Sequence, residues 1–228
     1  MANRSTIRAV VFDLDDTLYA ERDYVRSGYR AVAGRLAGEG GDAKALEAYL
    51  WGCLLGGNSA RAFDAAGAHF GLNLSPQRIV ELVEVYRSHP PDIRPWGGIP
   101  EFLGRLHECF RLGLLSDGFL PAQERKLDAL KLRRFFDEVL FTEQLGREAW
   151  KPSAAGFEAL ARRLALPHEA LAYVADNPAK DFVAPNALGW RSIQYLRPGQ
   201  VHAHNPPPPG GQPQRTVRTL EELRAALR

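Results

Sequence analysis

What this chain lacks narrows its class before any motif is considered. It has two cysteines, Cys53 and Cys109, in 228 residues, with no CxxC pair and no Cys/His zinc spacing. Neither a disulfide framework nor a structural zinc site is expected, and both residues read as free thiols in a reducing compartment. No run of about 18 apolar residues occurs, and no long apolar segment precedes Asp13. Neither a membrane span nor a signal peptide is expected, which points to a cytoplasmic protein. No sign of charge dominates: 29 Lys and Arg against 27 Asp and Glu give a formal net charge of +2. Nucleic-acid binders concentrate basic residues in a stripe, whereas the arginines here are scattered among acids, as on solvated helix faces. There are no internal repeats. The remainder, 45% hydrophobic and 25% charged, is ordinary for a soluble globular chain. The length suffices for one full core, or a core with a small insert.

The most informative stretch is residues 7–19, IRAVVFDLDDTLY. The apolar run Ala9–Phe12 stops abruptly at Asp13, as a short buried strand of a parallel sheet would. Its end presents Asp13 and Asp15, with Asp16 and Thr17 beside them. Carboxylates this close repel unless a cation lies between them or one is protonated. A hard divalent cation such as Mg²⁺, which takes oxygen ligands, suits them. An acidic turn capping a helix is the other reading of the same residues.

From residue 21 to about 85 the pattern is helical, with apolar residues such as Tyr24, Val25, Tyr29, Val32 and Leu36 at helical spacing. Glycines at 38–41 break it. GGNSAR, residues 56–61, is a second break or a functional loop. Ser75 and Pro76 read as a helix cap followed by proline at the first helical position. HPPDIRP, residues 89–95, reads as a return linker. Thereafter helices are expected at 100–108, 121–130, 154–164 and 181–188. They alternate with strands at 110–115, 138–141, 170–175 and 191–196. Such alternation implies α/β architecture, a doubly wound parallel sheet with helices on both faces. Residues 204–214, HNPPPPGGQPQ, cannot hold regular structure and read as a surface connector. Thr219 should cap a closing helix over 219–227.

Ligands bind beyond the carboxyl ends of parallel strands, and each polar signal falls at such an end. After Asp13 and Asp15 comes SDG, residues 116–118, whose Ser116 hydroxyl and turn amides at Asp117 suit a phosphate oxygen. Lys151 precedes Pro152 in a loop. ADNPAKDF follows, with Asp176 ending a strand and Asp181 five residues on. Taken singly, these residues also suit a tight turn, a solvated lysine and a helix cap.

In order, the set resembles the haloacid dehalogenase-like hydrolase superfamily: Asp-x-Asp-x-Thr at residues 13–17, then Ser116, Lys151 and the paired acids Asp176 and Asp181. The resemblance spans essentially the whole chain and implies a Rossmann-like core at 1–19 and 92–228 with a helical cap domain at 20–91. One departure is Ala175, where the superfamily usually has glycine; its methyl group could crowd the metal shell. The resemblance implies a Mg²⁺-dependent phosphatase of a small phosphorylated metabolite, such as a sugar phosphate or a nucleotide, working as a monomer or homodimer. By analogy Asp13 is the nucleophile that forms an aspartyl-phosphate, and Asp15 the acid–base. Ser116, Asp117 and Lys151 would bind phosphate. Asp13, the backbone carbonyl of Asp15, and Asp176 would bind the metal. Thr17 would orient the acid–base loop and Asp181 would orient Lys151 or a metal-bound water. Asp16 would support these groups or be merely exposed. Asn58 and Arg61 in the cap, and Glu21 and Arg22 near its hinge, are candidates for substrate selection, although ordinary surface charge explains Glu21 and Arg22 equally well. A phosphomutase or dehalogenase of the same fold, or a catalytically idle scaffold, are the alternatives; Asp15 and Thr17 favour phosphoryl transfer over dehalogenation.

Overall fold

In the computed structural model, residues 7–38 and 41–228 are described. The first six residues of the predicted core, and part of the predicted glycine break at 38–41, lie outside them. The described residues form one six-stranded sheet of β1 (Ala9–Phe12), β2 (Arg111–Ser116), β3 (Glu138–Phe141), β4 (Leu171–Ala175), β5 (Arg191–Tyr195) and β6 (Arg215–Val217). The strands lie in the order β3-β2-β1-β4-β5-β6 and every neighbouring pair is parallel. The order reverses at β1. In doubly wound sheets that reversal opens the crevice where ligands bind, outside the carboxyl ends of the strands.

Nine helices accompany the sheet among the described residues: α1 (Glu21–Ala37), α2 (Ala43–Leu55), α3 (Ala62–His69), α4 (Pro76–Ser88), α5 (Ile99–His107), α6 (Leu120–Leu130), α7 (Ala155–Arg163), α8 (Val183–Leu188) and α9 (Leu220–Ala226). The chain divides into two compact units. One contains the described residues up to Glu21 together with Arg94–Arg228, and the other is Arg22–Ile93. None of the described helices is long and apolar enough to cross a membrane.

The sheet unit is built around strands buried on both faces. Every residue of β1 and β4 is buried, which accounts for their continuous apolar sequences. Ala9 and Val11 pack with Leu115, Leu140, Phe157, Tyr173 and Trp190 in one cluster. Val10 and Phe12, which alternation turns to the opposite face, are equally buried. Val11 lies level with Gly113 on one side and Tyr173 on the other. A Cβ on Gly113 would come within 3.0 Å of Val11 Cγ2, so glycine is what admits the β2 backbone beside the central strand. Where the chain leaves this unit and returns, Tyr19 and Pro95 form an antiparallel bridge. There the Trp96 N–H donates to the Leu18 carbonyl at 2.9 Å.

The helical unit has its own core of Tyr29, Val32, Leu36, Leu46, Leu50 and Leu82. Asp42 caps α2 through the Lys44 and Ala45 amides, and Ser75 caps α4 through the Arg78 amide with Pro76 at the first position. Proline there forfeits only a donor that a helix start leaves unpaired.

The structure refines the sequence reading at four places. Residues 59–61 form a short 3-10 turn at the end of the GGNSAR break. The helix expected from 181 starts at Val183, because Asp181 sits in the preceding turn with its carboxylate engaged elsewhere. Residues 204–214 hold no regular element, yet they are tied down: Asn186 Nδ2 donates to the carbonyls of Gly210 and Gln212 at 2.8 and 2.7 Å. They lead into β6, an edge strand the sequence did not reveal, since three residues are too few for a period to register.

Candidate active site

Four strand ends and one loop converge on a buried, charged cluster in the sheet unit. Asp13 follows β1, and its amide donates to Val174 of β4 at 2.9 Å. Lys151 Nζ lies 2.6 Å from Asp13 Oδ1, 2.7 Å from Asp181 Oδ1 and 2.9 Å from the Tyr173 hydroxyl. The Lys151 and Asp181 side chains are both 0% exposed. An ammonium so deeply buried persists only if paired. Burial pulls its pKa down, but Asp13 and Asp181 outweigh that and hold it well above the usual lysine range. The other oxygen of Asp181 accepts the Asn177 amide at 3.0 Å, which closes the ADNPAKDF turn over Lys151. Thr17 Oγ1 stands 3.5 Å from Asp13 Oδ2.

The acids of this cluster outnumber what Lys151 can offset. Burial, reinforced by Asp181 and Asp15 and opposed by Lys151, pushes Asp13 up to about 7. Burial and then Asp181 and Asp13 drive Asp176 well above the carboxylate range. Asp176 Oδ2 is buried with no hydrogen-bond partner. A buried carboxyl oxygen without a partner, beside a second carboxyl whose ionisation is disfavoured, is what a hard divalent cation would satisfy. Among the described residues no three His, Cys, Asp or Glu side chains are grouped to hold a metal. The donor set implied by the family resemblance has only two carboxylates, Asp13 and Asp176, completed by the Asp15 carbonyl, so it falls short of three side chains while supplying all-oxygen donors. The residues present fit Mg²⁺. Ala175 does not crowd them, since its methyl belongs to the apolar cluster under the sheet.

Asp15 itself is turned elsewhere. Its Oδ1 meets Lys126 Nζ at 2.8 Å and the Tyr19 hydroxyl, and its Oδ2 accepts Gln123 Nε2 at 2.8 Å. Burial alone would raise its pKa, but Lys126 and these hydrogen bonds hold it below the usual value. Ser116, at the end of β2, is buried, and its Oγ accepts Gln123 Nε2 at 3.0 Å. Asp117 does not present its carboxylate to a phosphate. That group accepts from Thr142 Oγ1 at 2.8 Å, the Lys151 amide at 3.1 Å and Lys180 Nζ at 3.0 Å. What Asp117 can offer an anion is its main-chain N–H. Burial pushes its pKa up, but Lys151 and Lys180 bring it below normal.

Asp16 is not exposed. It is buried at a left-handed φ of 51°, and its carboxylate accepts the amides of Glu21 at 2.8 Å and Val201 at 2.6 Å. Gln200 Nε2 donates to its carbonyl at 2.6 Å. Asp16 thus pins the loop after β5 to the first motif. Glu21 stands close enough to Asp15 and Asp16 that burial and their charges push it up to about 7. Arg22, half-buried, begins the helical unit. Asn58 and Arg61 are exposed on its 56–61 turn.

Sequence reasoning missed Gln123, Lys126, Tyr173 and Lys180. Lys180 stands inside the quoted ADNPAKDF motif but carried no separate signal. Gln123 and Lys126 are three residues apart on α6, hence on one face, yet nothing in the sequence says that face points inward.

The chain is similar to known proteins in sequence and in fold. Residues 7–189 match the family described as haloacid dehalogenase-like hydrolase. A glyceraldehyde 3-phosphate phosphatase of Methanopyrus kandleri is 30% identical over 84% of this chain and 84% of its own. One of Methanocaldococcus jannaschii is 27% identical over 84% and 86%. In fold, the putative HAD-hydrolase YfnB of Bacillus subtilis aligns with a TM-score of 0.69 at 20% identity, covering 97% of this chain and 99% of that one. The chain belongs to the haloacid dehalogenase-like hydrolase family.

Proposed function

We propose that this haloacid dehalogenase-like hydrolase is a Mg²⁺-dependent phosphatase of a small sugar phosphate, with the helical unit as the cap that selects it. The observation that carries the reading is the Asp13–Lys151–Asp181 arrangement beside the orphaned oxygen of Asp176. It offers a nucleophile, a fixed cation for phosphoryl oxygens and the donors for a divalent ion in one crevice. The names of the relatives, glyceraldehyde 3-phosphate phosphatases, make triose phosphates the first substrates to try.

Asp13 attacks phosphorus as the bond to the ester oxygen breaks, and an aspartyl-phosphate forms. Asp15 gives the departing oxygen its proton. It then takes a proton from the water whose oxygen attacks phosphorus, which releases inorganic phosphate and restores Asp13. Lys151, Ser116 and the Asp117 amide hold the equatorial oxygens, over which charge spreads in a loose transition state. Asp181 keeps Lys151 in place and Thr17 steadies Asp13. Asp13, Asp176 and the Asp15 carbonyl would hold Mg²⁺, which when bound offsets the repulsion between a carboxylate nucleophile and an anionic substrate.

The test is release of inorganic phosphate from a panel of sugar phosphates, nucleotides and an aryl phosphate, with Mg²⁺ and with chelator, alongside halide release from 2-haloacids. Phosphate release that requires Mg²⁺ and favours a sugar phosphate is expected. Halide release independent of Mg²⁺, or no turnover at all, would overturn the reading.

A further inference from the structure

The reaction asks Asp15 to deliver a proton at a defined point, and within its own segment only the Tyr19 hydroxyl is seen to meet its side chain. The other contacts come from α6. Lys126 Nζ lies 2.8 Å from Asp15 Oδ1 and Gln123 Nε2 lies 2.8 Å from Oδ2. Gln123 and Lys126 are both buried, unusual places for a carboxamide and an ammonium. The same Gln123 nitrogen reaches Ser116 Oγ at 3.0 Å and the Asp117 carbonyl. Its orientation is dictated, because turning the amide over would aim its oxygen at a carboxylate and a carbonyl, neither of which can donate. Gly118, at φ +126°, makes room for it: a Cβ there would meet Gln123 Nε2 at 2.8 Å.

We infer that Gln123 and Lys126 are positioning residues that fix the Asp15 carboxylate relative to the phosphate-binding Ser116, with Oδ2 as the oxygen left facing the substrate. A carboxylate offers about two acceptor sites per oxygen. Oδ1 uses both, on Lys126 and Tyr19. Oδ2 spends one on Gln123 and keeps one for the leaving oxygen. Through the shared Gln123 nitrogen, the acid–base and the phosphate site keep a set separation. This inference rests on the phosphatase reading above.

The experiment compares Lys126→Met, Lys126→Arg and Gln123→Leu with wild type in the presence of Mg²⁺. It reads kcat/KM for glyceraldehyde 3-phosphate, a poor leaving group, and p-nitrophenyl phosphate, a good one. Misplacing a reacting group by about 1 Å can cost about 10²-fold. Lys126→Met should therefore lose about 10²-fold on the alkyl phosphate and far less on the aryl phosphate, where the proton matters little. Gln123→Leu should show the same pattern, and Lys126→Arg should recover most of the loss. In an Asp15→Asn background, Lys126→Met should add no further loss on the alkyl phosphate, since groups acting through one another are not additive. Thermal unfolding of each variant precedes the kinetics, and Gln123→Leu carries the comparison if Lys126→Met does not fold. Equal losses on both substrates, a gain on the alkyl phosphate, or losses that multiply in the Asp15→Asn background would overturn the inference while leaving the phosphatase reading intact. A wild type that releases no phosphate from either substrate overturns that reading first, and this inference with it.

Discussion

The strand-end cluster of the sheet unit and the exposed face of the helical unit handle charge in opposite ways. In the cluster Lys151 and Asp181 are wholly buried and each is bonded to fixed partners. In the helical unit Arg26 and Arg30 face Glu47 at 3.7 and 3.6 Å with more than half of each arginine side chain exposed. Exposed pairs of that kind contribute about 0–1 kcal/mol and weaken with salt. Losing one partner of a buried pair costs about 3–5 kcal/mol, because the survivor is stranded. So the sheet unit can hold reacting groups to a fraction of an ångström, while the helical unit can change its surface charge at little cost to its fold. The proposed function accordingly puts the reaction centre on the first and substrate selection on the second.

The comparison is broken most directly at Asp13. Asp13→Asn should abolish phosphate release, since an amide is a far poorer nucleophile and a weaker cation ligand. The fold should survive. The amide oxygen can still accept from Lys151, Asp181 still balances that ammonium, and one charge leaves an acid-rich cluster. Phosphate release and thermal unfolding measured together check both halves; turnover like that of wild type would remove Asp13 as nucleophile.

The next largest effect is on stability. Asp181→Ala takes away one of the two carboxylates on Lys151 and frees the Asn177 amide. Asp13 still balances the ammonium, so the cost is that of an unpaired buried amide and a lost charge-assisted bond, about 1–3 kcal/mol, read from denaturant unfolding. The matching change in the helical unit, Glu47→Ala, should cost less than about 1 kcal/mol. Similar losses for the two variants would erase the contrast between the units.

A bound cation should sharpen it. If Mg²⁺ relieves the repulsion between Asp13 and Asp176, adding it at about 100 times its Kd should stabilise the protein by about 2.7 kcal/mol. Hydrogen-exchange protection should rise at the ends of β1 and β4 more than in α2 or α3. Unchanged unfolding at all Mg²⁺ concentrations, with phosphate release equal in chelator, would remove the metal from the site.

The two units were also unequally legible in sequence. The sheet could be read because short apolar runs break on a polar residue at one end, and those breaks are Asp13, Ser116 and Asp176. In a parallel sheet all such ends lie on one edge, so order along the chain becomes proximity in space. β6 escaped because three residues show no period. Gln123 and Lys126 escaped for a different reason: a polar residue on a helix reads as solvated unless the helix's packing is known. Asp16 could be read as supporting or as exposed, since its partners at Glu21 and Val201 come from either side of a long insertion. Alternation along a strand is local, whereas the inward face of α6 is decided by tertiary packing.

The smallest expected effect tests the other side of the comparison. Arg61 is exposed at the end of the 59–61 turn, so Arg61→Ala should leave stability within about 0.5 kcal/mol of wild type. If the 56–61 turn recognises the part of the substrate beyond the phosphate, the variant loses a solvent-screened contact of about 0.2–1 kcal/mol. That is a rise in KM of at most about fivefold for the sugar phosphate. An aryl phosphate has no matching hydroxyls, so its kcat/KM should not move, and kcat should hold for both because no group at the reacting atoms has changed. Asn58→Ala, on the same exposed turn, should follow the same pattern. Equal losses on both substrates would mean that Arg61 acts on the phosphate end. No loss on either would mean that selectivity is built elsewhere, with Glu21 and Arg22 at the junction of the units next to be substituted.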